Sequence, residues 1–435
     1  MNAQSPAEMP AHAPGAPVTG VEASGAPGGR RLRVLIITKI FPNAEEPLSA
    51  PFNRQQFVAL SRRCDVEVLA TIPWFPAAGL FGRWTSTGRL GAVPAREIID
   101  GVSVEHPRFF YLPRVGQSLM GAFYAASVLP AVLRRRGTFD VILGSWAYPD
   151  GVAALALAQL VGVPAVVKLH GSDIDILSTR FWPRQNMKLA LPRADRVVAV
   201  SRSLAEKVIA LGVAPERVDI VGNGVDRELF KPQDRAAARA ALGHGDDKRK
   251  WILFVGRVEE AKGALDLCKA FVASTAASGG GVRLVLVGDG KGMATCQEIA
   301  RAVGDRVLFA GSKSHDEVAQ WMAACDLLVL PSHHEGTPNV VLEALASGRR
   351  VVGTTVGGIP DVVSSPELGE LVPPANVEAL AAALDRAVGR DYDAKAVAAL
   401  GGRRGWDDSA ARLEAVLQRA VSDRAALGQP MARAA

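Results

Sequence analysis

The chain has 435 residues, 49% hydrophobic and 22% charged, which predicts two domains of an ordinary soluble globular protein. No uncharged run of eighteen apolar residues occurs, which excludes a predicted membrane-spanning helix. The net charge of +6 is spread, with few aromatics among the arginines; this argues against nucleic acid and suits attraction to a phosphorylated substrate or an anionic membrane face.

Met1 to Arg30 is rich in Ala, Pro and Gly, lacks a basic-then-apolar signal pattern, and reads as a disordered tail, residues 1–30. The first domain is predicted over 31–226. A strand at 32–37 is followed by a loop with Phe41-Pro42 and Pro51-Phe52, a helix at 54–63 and a strand at 66–70. The stretch 71–96 reads as irregular and holds Trp74, Phe75, Phe81, Arg83, Trp84, Arg89 and Arg96. That composition fits an acceptor-facing or lipid-facing surface, and equally a loop folded over its own small cluster. Two short strands flank Asp100-Gly101. A helix at 117–136 ends in Arg134-Arg135-Arg136, where cations suit the helix dipole and could touch acidic headgroups.

The pattern then alternates regularly: strand 141–144, helix 150–161, strand 165–169, strand 196–200, a helix to 211 capped by Ser201, and strand 218–221. Such alternation predicts a parallel sheet, with ligands beyond the carboxyl ends of its strands. His170 stands at such an end. Asp173-Ile174-Asp175 reads as a helix-start carboxylate pair rather than a metal site. After the turn Gly222-Asn223-Gly224, a polar, alanine-rich stretch to Lys250 reads as the passage between domains. The second domain, 227–404, alternates again: strand 251–255, helix 263–273, strands 283–287 and 307–310, helix 315–324, strand 327–330, helix 338–346, strand 350–353. A final helix lies at 406–420, within a segment 405–423. The four cysteines (Cys64, Cys268, Cys296, Cys325) have no CxxC spacing, which fits a reducing cytoplasm better than zinc or disulfides.

The chemistry concentrates in the second half. Leu327–Leu330 is a doubly buried strand, Pro331 stops it, and Thr337-Pro338 is expected to cap and open a helix that Gly348 closes. Strand, loop and helix N-terminus make an anion site. Glu335 in the loop and Glu343 in the helix could accept hydrogen bonds from sugar hydroxyls. Arg257 follows the strand at 251–255 and Lys262 starts the next helix, so the pair could clamp a diphosphate. Gly357-Gly358-Ile359-Pro360-Asp361 and Gly288-Asp289-Gly290 lie at the same edge. The same pieces also fit ordinary strand–helix units with solvated glutamates and surface cations. Neither half has GxGxxG after its first strand, and HExxH, P-loop and GxSxG motifs are absent.

Taken together and in order, Asn223-Gly224-Val225-Asp226, Arg257…Lys262-Gly263, Glu335-Gly336-Thr337-Pro338 with Glu343, Gly357 to Asp361, and Trp406 resemble the retaining glycosyltransferases of family 4 over about residues 31 to 420. The resemblance implies the α/β GT-B fold: two Rossmann-like, doubly wound domains facing each other across a cleft, with the last helix crossing back onto the first. It implies a nucleotide-sugar donor held mainly by the second domain, with no cofactor and no metal. Arg257 and Lys262 would hold the diphosphate and Glu343 the ribose. Glu335, with the amides of Gly336 and Thr337, would hold the donor sugar. Asn339 belongs to the same donor-binding set, and backbone near Gly311 would read the base. His170 would reach the sugar from the first domain, so the implied catalytic set is His170, Arg257, Lys262 and Glu335. The loop Lys39-Ile40-Phe41-Pro42 with Ser49-Ala50-Pro51 lacks the glycines frequent in the family, and no site residue is assigned there. It is similar instead to members that build bacterial surface polysaccharides.

The resemblance therefore implies transfer of a hexose-type sugar, with retention, from a UDP or GDP donor to a lipid-linked or polysaccharide acceptor. The expected place is the cytoplasm, peripheral to the inner face of the plasma membrane. A GT-B-fold nucleotide-sugar epimerase and a non-catalytic scaffold subunit remain as alternatives. A nicotinamide oxidoreductase is disfavoured by the missing glycine fingerprint.

Overall fold

The computed structural model describes residues 30–75, 86–110, 119–274 and 280–426. The tail expected over 1–30 lies outside them except for Arg30, as do Phe81, Arg83 and Trp84. Among the described residues, ten strands form in the first half: β1 (Arg33–Thr38), β2 (Asp65–Ala70), β3 (Ile72–Trp74), β4 (Arg96–Ile99), β5 (Val102–Glu105), β6 (Arg108–Phe110), β7 (Val141–Ser145), β8 (Ala165–Leu169), β9 (Arg196–Ala199) and β10 (Val218–Ile220). Six form in the second: β11 (Lys250–Val255), β12 (Val282–Val287), β13 (Val307–Gly311), β14 (Leu327–Leu330), β15 (Arg350–Thr354) and β16 (Gly369–Val372).

The first sheet runs β10-β9-β8-β7-β1-β2-β5-β4, parallel except for β4 against β5. The second runs β13-β12-β11-β14-β15-β16 and is parallel throughout. Each is doubly wound, and each reverses direction next to its first strand. Loops diverge at that reversal and leave a crevice beyond the strand ends. In the first sheet it lies between β1 and β7, in the second between β11 and β14. Doubly buried strands explain the unbroken apolar runs, such as Leu327 to Leu330, all buried.

From Leu32 onward the two sheets belong to one compact unit. The helix Trp406–Ala426 starts beside Val225, whose N–H donates to the Arg404 carbonyl at 3.0 Å. It packs on the first half: Ala410, Leu413, Leu417 and Ala420 join Val34, Phe57 and Leu60 in one core. A buried polar chain pins it. Lys168 on β8 donates to Gln56 Oε1, Gln56 Nε2 to Ser409 Oγ at 2.8 Å, and Ser409 Oγ to the Gly222 carbonyl at 2.7 Å.

Several expectations need correction. The stretch 71–96 is not wholly irregular: β3 pairs with β6, and Ser86–Arg89 is helical. Arg134 stands in the last turn of the helix Met120–Arg134 and Arg135 Nη1 donates to the Ala131 carbonyl at 3.1 Å, as the dipole reading expects, but Arg134 and Arg135 also pair with Glu105, and Arg135 with Glu67, which leaves them less available to acidic headgroups. The passage to Lys250 holds a helix, Arg235–Ala241, packed on His315–Ala324. Beyond Gly353 the strand β16 and the helices Val377–Gly389 and Ala394–Gly401 complete the second half, and Met293–Ala300 is a further helix. Alanine-rich segments carry little periodic contrast, so their helices are hard to see in sequence.

Asp326 ties the Arg235–Ala241 helix to the second sheet. Its carboxylate, nearly buried, takes Arg239 at 2.6 Å, the Trp251 N–H at 2.8 Å, and Arg235. Asp326→Ala strands these donors and should cost about 3 kcal/mol in urea unfolding; an unchanged midpoint would remove this helix from the folding unit.

Candidate active site

The site forms where β8 of the first half meets the loop after β14 of the second. The loop continues Leu330 as Pro331-Ser332-His333-His334-Glu335-Gly336-Thr337-Pro338. Gly336 touches the first half so closely that a Cβ there would lie 1.9 Å from the His170 carbonyl oxygen. Gly171 faces it from the other side: a Cβ on Gly171 would lie 2.5 Å from Gly336 Cα. The Gly358 N–H donates to the Gly336 carbonyl at 2.8 Å, bringing the 357–361 loop against the same point. Further hydrogen bonds cross the joint. Thr337 Oγ1 donates to the Val200 carbonyl at 2.7 Å, Asn223 Nδ2 to Asn339 Oδ1 at 2.9 Å, and the Arg202 N–H to Asp361 at 2.7 Å.

Those contacts correct the expected helix start. The helix is Asn339–Ala346, Pro338 precedes it in extended backbone, and Thr337 does not cap it. The threonine hydroxyl is drawn away by the Val200 carbonyl.

The two loops of the second half are likewise in contact. A Cβ on Gly263, which sits at φ +69°, would meet the Pro331 carbonyl oxygen at 1.9 Å, so only glycine fits that turn. His333 bonds Asp266 at 2.8 Å. Lys262 Nζ pairs with Glu335 Oε1 at 2.7 Å, and Ser332 Oγ donates to the same oxygen at 2.8 Å. Lys262 and Glu335 are thus together as the sequence suggested, but as partners of each other. Arg257 stands apart from them on the exposed rim, paired with Glu259 at 2.9 Å.

Glu343 lies one turn into the Asn339–Ala346 helix, largely buried. Burial pushes its carboxyl up to about 7. His315 Nε2 stands 3.6 Å from it, too far for a hydrogen bond, and burial holds that imidazole below its usual range. The contact is therefore not a strong ion pair, although the distance alone would allow one.

His170 is half-buried between Phe52 and Trp146, with ring centroids at 5.1 and 5.8 Å. Its Nε2 bonds Ser145 Oγ at 2.9 Å. Burial, then the charge of Lys168, hold it well below its usual range, so it is neutral at physiological pH. Asp173 sets its backbone. Its buried carboxylate accepts from the N–H groups of Ala147, His170, Gly171 and Ile174. Asp175 pairs with Lys207. Sequence reading therefore missed a loop-orienting role for Asp173; the visible signal was a carboxylate three residues after a strand-end histidine. It also missed Ser332, His315, Trp146 and Lys39, which has its Nζ 5.2 Å from the Trp146 ring. Only the fold brings Lys39 to Trp146 and His315 to Glu343.

The chain has known counterparts. Residues 59–229 match the model of glycosyltransferase family 4, and residues 249–390 that of glycosyl transferases group 1. The chain is 28% identical to a Bacillus subtilis protein named for teichuronic acid biosynthesis, the glycosyltransferase TuaC, over 82% of this chain and 89% of that one. It is 38% identical to the D-inositol 3-phosphate glycosyltransferase of Mycobacterium tuberculosis, but over only 44% of this chain and 40% of that one. Among solved structures, Anabaena HepE, in complex with UDP, superposes with a TM-score of 0.61 at 21% identity, covering 91% of this chain and 98% of HepE. The lipopolysaccharide outer core galactosyltransferase WaaB gives 0.64 at 18% identity, over 90% and 100%.

Glu343 generates a prediction with a defined sign. Its folded carboxyl binds a proton more tightly than the unfolded one, so its burial destabilises the free protein increasingly as pH rises from about 4.5 to 7. Glu343→Gln should stabilise the free protein at pH 8, by on the order of 2–3 kcal/mol, with little gain at pH 4. Urea unfolding at both values reads this; equal effects at the two would show that the carboxyl titrates normally. The two family matches, at 59–229 and 249–390, and the strand order of the two sheets agree: this chain belongs to the family 4 glycosyltransferases and is a glycosyltransferase of the GT-B fold.

Proposed function

We propose that the chain transfers a hexose-type sugar, with retention and without a metal, from a UDP or GDP donor to a lipid-linked or polysaccharide acceptor. The observation that carries this reading is the meeting of His170 with the Glu335-Gly336 loop, beside Lys262. The solved HepE complexes contain UDP, UDP with glucose, and UDP-glucose, which supports a uridine donor here by similarity.

As the glycosidic bond breaks, charge grows on the leaving diphosphate. Lys262, Arg257 and the free amides at the head of the Asn339–Ala346 helix would meet that charge, the task a divalent ion performs elsewhere. Lys262 would first exchange part of its contact with Glu335, freeing a carboxylate oxygen for a sugar hydroxyl. Arg257 would swing from Glu259, which its exposure permits. Glu343 would accept from the ribose, and Asn339 with the Gly336 and Thr337 amides would fix the sugar. A neutral His170 can share a hydrogen bond with a sugar hydroxyl through the ring nitrogen that Ser145 does not hold, without placing a cation beside the developing oxocarbenium charge. Front-face delivery of the acceptor hydroxyl then gives retention. The basic excess of the chain supports a working place at the cytoplasmic membrane face.

Calorimetry with UDP, GDP, ADP and NAD, without added metal, tests the donor site. One nucleoside diphosphate should bind. Arg257→Ala and Lys262→Ala should each lower transfer by about 100-fold or more while circular dichroism stays unchanged. Near-normal turnover in both variants would sink the diphosphate clamp.

A further inference from the structure

The Ser172–Asp175 turn leads from His170 into a surface that the donor chemistry does not use. Between Ile176 and Ala194 the chain has four cations (Arg180, Arg184, Lys188, Arg193) and no Asp or Glu. The helix Phe181–Ala190 occupies most of it. Pro183 and Met187, four apart, are buried against the Val152–Val161 helix and the Ala147–Gly151 turn. The other faces are open: Phe181 is 65% exposed, Trp182 53% and Leu189 63%, with Ile176 just ahead at 55%. The Phe181 and Trp182 rings stand edge to face, 5.1 Å apart. Arg184 and Lys188 share the outward surface, and these two with Arg180 are exposed and form no ion pair among the described residues. Many arginines elsewhere are paired, as Arg134, Arg135, Arg239 and Arg249 show.

We propose that the outward face of the Phe181–Ala190 helix docks this glycosyltransferase on an anionic lipid bilayer. Aromatic and aliphatic side chains would enter the headgroup–acyl boundary, and the unpaired cations would meet lipid phosphates. A second copy of the chain fits less well, because a twofold contact sets these cations against themselves. The surface is not one the sequence pointed to: Arg134 and Arg135 are neutralised by Glu67 and Glu105. Its position matters because Ile176 follows His170 by six residues. A bilayer on this face would bring a lipid-linked acceptor to the His170 side of the joint. The inference rests on the proposed function for that use, and on the helix itself for its chemistry.

The test is co-sedimentation of the full chain with vesicles of phosphatidylglycerol or of phosphatidylcholine. The chain should sediment with the first and not the second, and be released by about 0.5 M salt. Phe181→Ser with Trp182→Ser, and separately Arg180→Gln, Arg184→Gln and Lys188→Gln together, should each weaken binding about tenfold or more. Both variants should keep the circular dichroism of the parent and its nucleoside diphosphate affinity. That affinity, measured without vesicles, separates failure here from failure of the donor assignment. The proposal is overturned if the parent stays in the supernatant at low salt, or if both variants sediment like the parent. It is also overturned if the parent is a dimer that Phe181→Ser with Trp182→Ser makes a monomer.

Discussion

Everything at this site depends on how closely two backbones approach at Gly336. The His170 carbonyl, Gly171 and the Gly358 amide all press on that one residue. No side chain fits between them, so the sequence must supply glycine on both sides of the joint. That contact fixes the distance from the histidine of the first half to the Lys262–Glu335 pair of the second. The cross-joint hydrogen bonds from Thr337, Asn223 and Arg202 hold the register around it.

A second theme is that the charged groups of the site already have partners before any ligand arrives. Lys262 lies on Glu335 and Arg257 on Glu259, while Glu343 is kept from ionising readily by burial. Isolated buried charge would be far more costly than paired or neutral groups. On the proposed function, an incoming diphosphate would therefore exchange partners rather than fill bare sites. The cost is spread between loops, which is tolerable because the same loops are braced by His333 on Asp266 and by Thr354 on the Ser332 carbonyl at 2.6 Å.

The first half prepares its contribution differently. His170 is positioned by the backbone, through the amides that converge on Asp173, and kept neutral by burial and by the charge of buried Lys168. Lys168 belongs in turn to the chain through Gln56 and Ser409 that seats the last helix. The strand carrying the histidine is thus supported by residues from the opposite end of the sequence.

The sequence by itself determined the alternating strands and helices, because strands buried on both faces and helices buried on one have different apolar periods. It also located His170 and Arg257 just after strands, Lys262 at a helix start, Glu335 in a loop and Glu343 in a helix, since motifs bounded by Gly and Pro are local. The helices Arg235–Ala241, Met293–Ala300 and Val377–Gly389 escaped it; the first is mostly alanine and has no apolar stripe to give a period. The tertiary structure alone decided which groups are partners. That Thr337 leaves its helix for Val200, that Asp173 orients His170, and that Arg134 is spent on Glu105 while Arg184 is left unpaired all depend on residues distant in the chain. Pairing energies of that kind arise only when packing brings the groups within hydrogen-bond reach and removes the water between them.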